Sequence, residues 1–103
     1  GTNFWAVRDG VLYTAGEGVL EGITRKVLLR LAAEMGIPLR LEAIRISEIS
    51  QLDEAALSGS SRALLPVVMI DGQVIGSGRP GPVSQHLLQA YNTFVAANVR
   101  RAI

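Results

Sequence analysis

Two Asp-Gly dipeptides, Asp9-Gly10 and Asp71-Gly72, each stand between short apolar runs, and they constrain the fold more than any other feature. Asp-Gly supplies the two positive-φ positions of the tight turn whose twist matches a β-hairpin. The first dipeptide therefore joins Phe4-Trp5-Ala6-Val7 to Val11-Leu12-Tyr13-Thr14 as an antiparallel pair. The second turns an apolar strand over residues 64–70 back through Val74-Ile75, with Pro66 tolerated only at that strand's beginning or at a sheet edge.

Helical signals separate the hairpins. After a loop at Ala15-Gly16-Glu17-Gly18, the spacing predicts a helix over residues 22–35. Ile23, Val27, Leu31 and Met35 recur on one face, Arg25, Arg30 and Glu34 take other faces, and Gly36 and Pro38 stop it. Leu39-Arg40-Leu41-Glu42 alternates as a strand does, and the parity flip at Ala43-Ile44-Arg45-Ile46 marks a bulge or the strand's end. Ser47 is expected to cap a short helix running to Leu52, with Glu48 in its first turn. Ala55-Ala56-Leu57 reads as a short strand delivering Ser58-Gly59-Ser60-Ser61 to a turn. Pro82 opens a last helix with Val83, Leu87, Tyr91 and Val95 on one face, and residues 96–103 are expected to fray or dock on a partner. Helices interleaved with hairpins predict a mixed α/β (α+β) domain rather than a doubly wound parallel sheet.

Composition removes several function classes. A chain of 103 residues is one domain, 1–103. A net charge of +1 gives no electrostatic reason for nucleic acid or an anionic membrane as partner. With no cysteine and a single histidine, His86, there is no disulfide framework, thiolate nucleophile, Cys-ligated metal or His-cluster metal site. No run reaches the length of a transmembrane helix and no signal pattern opens the chain, so a soluble cytoplasmic protein is expected.

Two stretches carry chemistry. Leu20-Glu21-Gly22-Ile23-Thr24-Arg25 places a small residue and a hydroxyl at a helix start, where the first N–H groups lack intrahelical partners and the dipole favours an anion. Ser58-Gly59-Ser60-Ser61 is a polar turn between strands. From the residues alone, the ordinary readings prevail: a helix start with threonine as a cap, and a polar linker. His86 and Ser84, two apart on a helix, do not face each other. Asp53-Glu54 reads as the solvated end of a short helix, Trp5 and Tyr13 as hairpin anchors, and Arg100-Arg101 as two charges on a tail.

The order of these segments carries more than each does singly. The hairpin from Asn3 to Thr14, the Leu20–Arg25 stretch, Leu57-Ser58-Gly59-Ser60-Ser61 running into Leu65-Pro66-Val67-Val68-Met69-Ile70-Asp71-Gly72, and Gly81-Pro82-Val83 follow one another. This series resembles the C-terminal part of the class IV, fold-type IV pyridoxal-phosphate enzymes: branched-chain aminotransferases, D-amino-acid aminotransferases and aminodeoxychorismate lyases. The resemblance covers residues 3–94. It implies a curved, partly closed mixed sheet flanked by helices and packed against an N-terminal domain, with the cofactor at the junction.

By the same resemblance, the amides of Ile23 and Thr24 and the Thr24 hydroxyl, at the helix opened by Gly22, meet the cofactor phosphate while Leu20 packs on the pyridine ring. Gly59 and Ser60 form a second phosphate turn, and the Ser61 amide meets a substrate carboxylate. Arg62-Ala63 departs from the small residue and glutamate common in the family; Arg62 is either a surface cation or a carboxylate fork at the site mouth. Such enzymes hold their cofactor on a lysine amine. Lys26 is the single lysine, and it reads as a solvated partner of the anion, of Glu21 or of Glu34. The family's lysine, and the glutamate that meets the pyridine nitrogen, come upstream of the segment matching Asn3. The chain is thus expected to be the C-terminal portion of a larger enzyme, inactive alone. The intact protein would pass an amino group between an amino acid and a 2-oxo acid, with the N-terminal domain and a second copy of the enzyme as partners. The alternatives are the lyase on the same scaffold, or a non-catalytic packing or dimerisation module.

Overall fold

The computed structural model describes residues 2–16, 22–59 and 63–102, the last four by backbone alone. In chain order the elements are β1 (Asn3–Arg8), β2 (Val11–Thr14), α1 (Ile23–Glu34), β3 (Leu39–Arg40), a 3-10 helix (Ile46–Gln51), β4 (Glu54–Gly59), β5 (Ala63–Val67), β6 (Met69–Ile70), β7 (Gln73–Val74) and α2 (Pro82–Ala102). Both Asp-Gly turns form as the sequence dictates, with φ of 52° and 76° at Asp9 and Gly10 and 49° and 78° at Asp71 and Gly72.

Five strands make one sheet in the order β3-β2-β1-β4-β5, and β6 and β7 make a separate hairpin. The sheet is mixed, because β2 and β3 run parallel while the other pairs are antiparallel. It is not closed into a barrel. The strand expected over residues 64–70 breaks at Val68, whose carbonyl accepts the Ile75 N–H at 2.9 Å. Its first part joins the sheet edge, where Pro66 is permitted, and its second pairs with β7. The strand expected over residues 39–42 ends at Arg40, so the parity flip beyond it marks no bulge. Ser47 does not cap the helix that follows. Arg45 holds the N-cap position without a side-chain bond, and its carbonyl closes the first turn by accepting the Glu48 N–H at 2.9 Å.

Strand alternation divides the core in two. Trp5, Val7, Leu12, Ala56 and Leu64 face Leu28 and Ala32 of α1 and Leu87 of α2. On the other face Ala6 and Ala55 meet Leu52 and Ile75, the latter delivered by the β6–β7 hairpin.

The inward face of α1 is not the one its apolar spacing suggests. Arg25, Leu28 and Ala32 are buried, whereas Ile23 is 82% exposed and Met35 is exposed as well. A row repeating every fourth residue drifts by about 40° per step, since each residue turns about 100°. The row Ile23, Val27, Leu31, Met35 therefore wanders about 120° round the helix, and only its middle stays against the sheet. On α2 the expected row holds at Leu87, with Val83 and Tyr91 packed beside it, and leaves the core at Val95. Residues 96–102 continue the helix instead of fraying. The segment Ala96-Ala97-Asn98-Val99-Arg100-Arg101-Ala102 contains neither glycine nor proline to stop it. Among the described residues no helix is long and apolar enough to cross a membrane.

Glu54 overturns its reading as a solvated helix end. It is 6% exposed, and its carboxylate accepts the N–H groups of Val83 at 3.0 Å and Ser84 at 2.7 Å. It thus fills the N-terminus of α2 from a different element, the start of β4. Gly81 is required there, because a Cβ would collide with the Glu54 side chain. Its neighbour Asp53 accepts the Asp9 N–H at 2.8 Å and so braces the first hairpin turn. Glu54→Ala is expected to lose about 2 to 3 kcal/mol, from two charge-assisted bonds and the cap they form. Urea denaturation should register it as a lower midpoint at unchanged slope.

Candidate functional site

The register of β1 against β4 pairs Asn3 with Ser58 at the end of the sheet, on the helix-facing side. Trp5, two residues along, is 1% exposed and donates its indole N–H to the Ser58 hydroxyl at 2.7 Å. This contact ties the two strands one residue before Gly59 ends β4.

The N-terminus of α1 comes to the same place. Gly22 holds the N-cap in an extended conformation (φ −88°, ψ 169°) without a side-chain cap, and the first turn carries no acid. The first intrahelical bond runs from the Lys26 N–H to the Gly22 carbonyl at 3.2 Å. The amides of Ile23 and Thr24 precede it and have no acceptor within the helix. A Cβ at Gly22 would meet no described heavy atom within 4 Å, so the approach to these amides is open.

A cavity of about 170 Å³ lies there, lined by Asn3, Gly22, Ile23, Thr24, Arg25, Ser58 and Gly59. Two stretches far apart in sequence are thereby brought together. Gly22, Ile23, Thr24 and Gly59 of the expected site share this cavity; Leu20, Ser60, Ser61 and Arg62 lie outside the described residues. The Thr24 hydroxyl also lies 3.5 Å from the Tyr91 hydroxyl of α2.

Arg25 is the principal departure from the sequence reading. Placed by its spacing on an outer face, it is 2% exposed and donates from Nη2 to the Ala15 carbonyl. Arg25 contributes to the cavity lining, and among the described residues no carboxylate lines it. Amides, a hydroxyl and a guanidinium form a donor set suited to a phosphate or carboxylate, and unsuited to a metal cation. Among the described residues no group of three or more potential metal-ligating side chains exists.

The remaining candidates separate from this site. Lys26 is exposed, and Glu34, one of its expected partners, pairs instead with Arg30 at 3.2 Å. Ser84 is buried beside Glu54 while His86 is exposed, so they form no dyad. Tyr13 anchors the hairpin as expected, with the Arg8 guanidinium 5.1 Å from its ring centroid. The Tyr13 hydroxyl first, and then Glu48, hold that guanidinium above its ordinary pKa.

Sequence reasoning missed Asn3, Ser58 and Arg25 as lining residues. For the first two a signal existed: with Trp5 facing inward, alternation puts Asn3 on the same face, and a β1–β4 pairing brings Ser58 opposite it. Arg25 had none, because its burial depends on which side of α1 meets the sheet. Ser58→Ala is expected to cost about 1 to 3 kcal/mol by leaving the buried Trp5 N–H without its acceptor. Thermal denaturation should show a drop of several degrees for a chain of this size.

Comparison with known proteins agrees with this arrangement. The amino-transferase class IV model matches residues 1–70. The chain is 34% identical over 96 residues to a D-alanine aminotransferase of Staphylococcus haemolyticus, covering 91% of this chain and 34% of that protein. It is 40% identical over 97 residues to a branched-chain-amino-acid aminotransferase of Pseudomonas aeruginosa, covering 93% of this chain and 32% of the relative. The solved branched-chain amino acid aminotransferase of Escherichia coli superposes with a TM-score of 0.85 at 37% identity, over 90% of this chain and 32% of that one. The chain therefore spans about a third of the length of the curated relatives it matches. With the family model matched over more than half the chain and the fold shared with a solved member, the chain belongs to the class IV aminotransferase family.

Proposed function

We propose that this chain is the C-terminal portion of a pyridoxal-phosphate-dependent aminotransferase and that its cavity seats the cofactor phosphate. The observation that carries the reading is the meeting of an uncapped helix N-terminus, Gly22-Ile23-Thr24, with Gly59 beside the buried Arg25. The amides of Ile23 and Thr24 and the Thr24 hydroxyl hold the phosphate oxygens. Arg25 and the dipole of α1 favour their negative charge. Ser60 adds donors from the second turn, Leu20 packs on the pyridine ring, Ser61 meets the substrate carboxylate, and Arg62 stands as a second carboxylate contact at the mouth. The Leu20, Ser60 and Ser61 assignments follow the family resemblance; Arg62, where this chain departs from the family's pattern, is assigned by its charge alone.

When bound, pyridoxal phosphate supplies the electron sink that lets an amino group move between an amino acid and a 2-oxo acid. This chain's part is to hold and orient the cofactor from its phosphate end. The covalent lysine belongs to a preceding N-terminal domain, because Lys26, the single lysine, is exposed on the helix that cradles the phosphate. The intact enzyme acts in the cytoplasm as a homodimer.

Titration with pyridoxal phosphate, followed by amide shifts, is expected to perturb Ile23, Thr24 and Gly59 first. Thr24→Val removes one hydrogen bond to a charged group, worth about 1.5 to 3 kcal/mol, and should weaken binding about 10- to 150-fold. Shifts confined to other residues would move the site off this helix. The chain alone is expected to show no transaminase turnover; turnover with stoichiometric borohydride-trapped cofactor on Lys26 would overturn its assignment as a part lacking the lysine.

A further inference from the structure

We propose that Tyr91 is a positioning residue for the phosphate seat, fixing the direction in which the Thr24 hydroxyl donates; this rests on the reading of that cavity as a phosphate site. The two residues are 67 apart in sequence, and their oxygens are 3.5 Å apart across the α1–α2 junction. Both are half-buried. Tyr91 packs its ring against the helix-facing core, which holds its hydroxyl near that of Thr24. Thr24 lines the cavity, and Tyr91 does not.

The argument turns on proton inventory. A threonine hydroxyl has one proton and two lone pairs, and so has a tyrosine hydroxyl for this purpose. A phosphate accepts hydrogen bonds, so Thr24 serves it only by pointing its proton into the cavity. If Thr24 donated backward to Tyr91, the anion would meet a lone pair instead. Tyr91 resolves the choice by donating into Thr24 Oγ1, which leaves the threonine proton free to turn forward and polarises that bond in the productive direction. At 3.5 Å the two oxygens stand beyond the usual O–H···O separation of about 2.5 to 3.0 Å, so a small approach is needed to close the bond. An anion in front of Thr24 draws the chain of hydroxyls into one orientation, and the contact gains its strength in the occupied state.

A double-mutant cycle tests this with inorganic phosphate as probe and the Thr24-region amide shifts as readout. Tyr91→Phe keeps the ring and its packing and removes only the hydroxyl; Thr24→Val keeps the shape and removes the hydroxyl that Tyr91 acts through. Tyr91→Phe is expected to weaken phosphate binding about 2- to 10-fold in the parent chain. It is expected to change nothing in the Thr24→Val background, and to keep its effect in Thr24→Ser, where the hydroxyl remains. An equal loss in the parent and Thr24→Val backgrounds would make Tyr91 a packing residue and overturn the proposal. Unchanged binding in Tyr91→Phe, with the parent chain responding at Ile23 and Thr24, would overturn it while sparing the phosphate seat. A parent chain whose Ile23 and Thr24 amides do not respond to phosphate would overturn the seat itself, and the role of Tyr91 with it.

Discussion

The hydrogen bond from the Trp5 indole to the Ser58 hydroxyl is the contact on which the geometry of the site depends. It joins β1 to β4, adjacent strands in the interior of the sheet, inside the core that receives both helices. A slip of one residue between these strands would turn Trp5 or Ser58 to the opposite face and leave a buried indole N–H without an acceptor. The register that avoids this sets Asn3 beside Ser58 and brings Gly59, the last residue of β4, to the start of α1. A side-chain contact in the core thus decides what stands at the cavity.

The two long helices resolve the same electrostatic problem in opposite ways. Each begins with N–H groups that its own turns cannot satisfy. At α2 the chain supplies the answer, with the buried Glu54 carboxylate accepting from Val83 and Ser84 and Gly81 giving it room. At α1 the cap is a glycine, the first turn has no acid, and the charge on the cavity wall is the cation Arg25. A fold that pairs a carboxylate with one helix start and a guanidinium with the other has one start closed and one suited to an anion from outside.

What the sequence disclosed follows the range of the forces involved. The hairpin turns were legible because Asp-Gly encodes a backbone geometry within two residues, and the limits of α1 because Gly36 and Pro38 stop a helix locally. The edge position of β5 was one of the two that Pro66, which lacks an N–H to donate, left open. What escaped was set at a distance. The inward stripe of α1 is chosen by the strands it meets, so Arg25 went inside while Ile23 stayed out. Glu54 looked like the end of a polar segment because its partners, Val83 and Ser84, lie 29 and 30 residues on. The segment order implied, by resemblance, which stretches carry chemistry, but the meeting of Gly22, Ile23 and Thr24 with Gly59 is a property of the sheet.

The same distinction explains how a chain a third as long as its relatives still presents a defined cavity at the start of α1. A cofactor site assembled from loops alone would dissolve with the loops' neighbours. Here the donors belong to the first turn of a twelve-residue helix and to the end of a six-residue strand, both anchored in one hydrophobic core. Leu28 and Ala32 hold α1 against Trp5 and Ala56, and that packing fixes where Ile23 and Thr24 aim their amides. On the proposed reading, the phosphate half of the site is carried by the core of this chain, and the reactive half by whatever supplies the lysine. Because these halves depend on different parts of the fold, anion binding and covalent capture of the cofactor are separable properties.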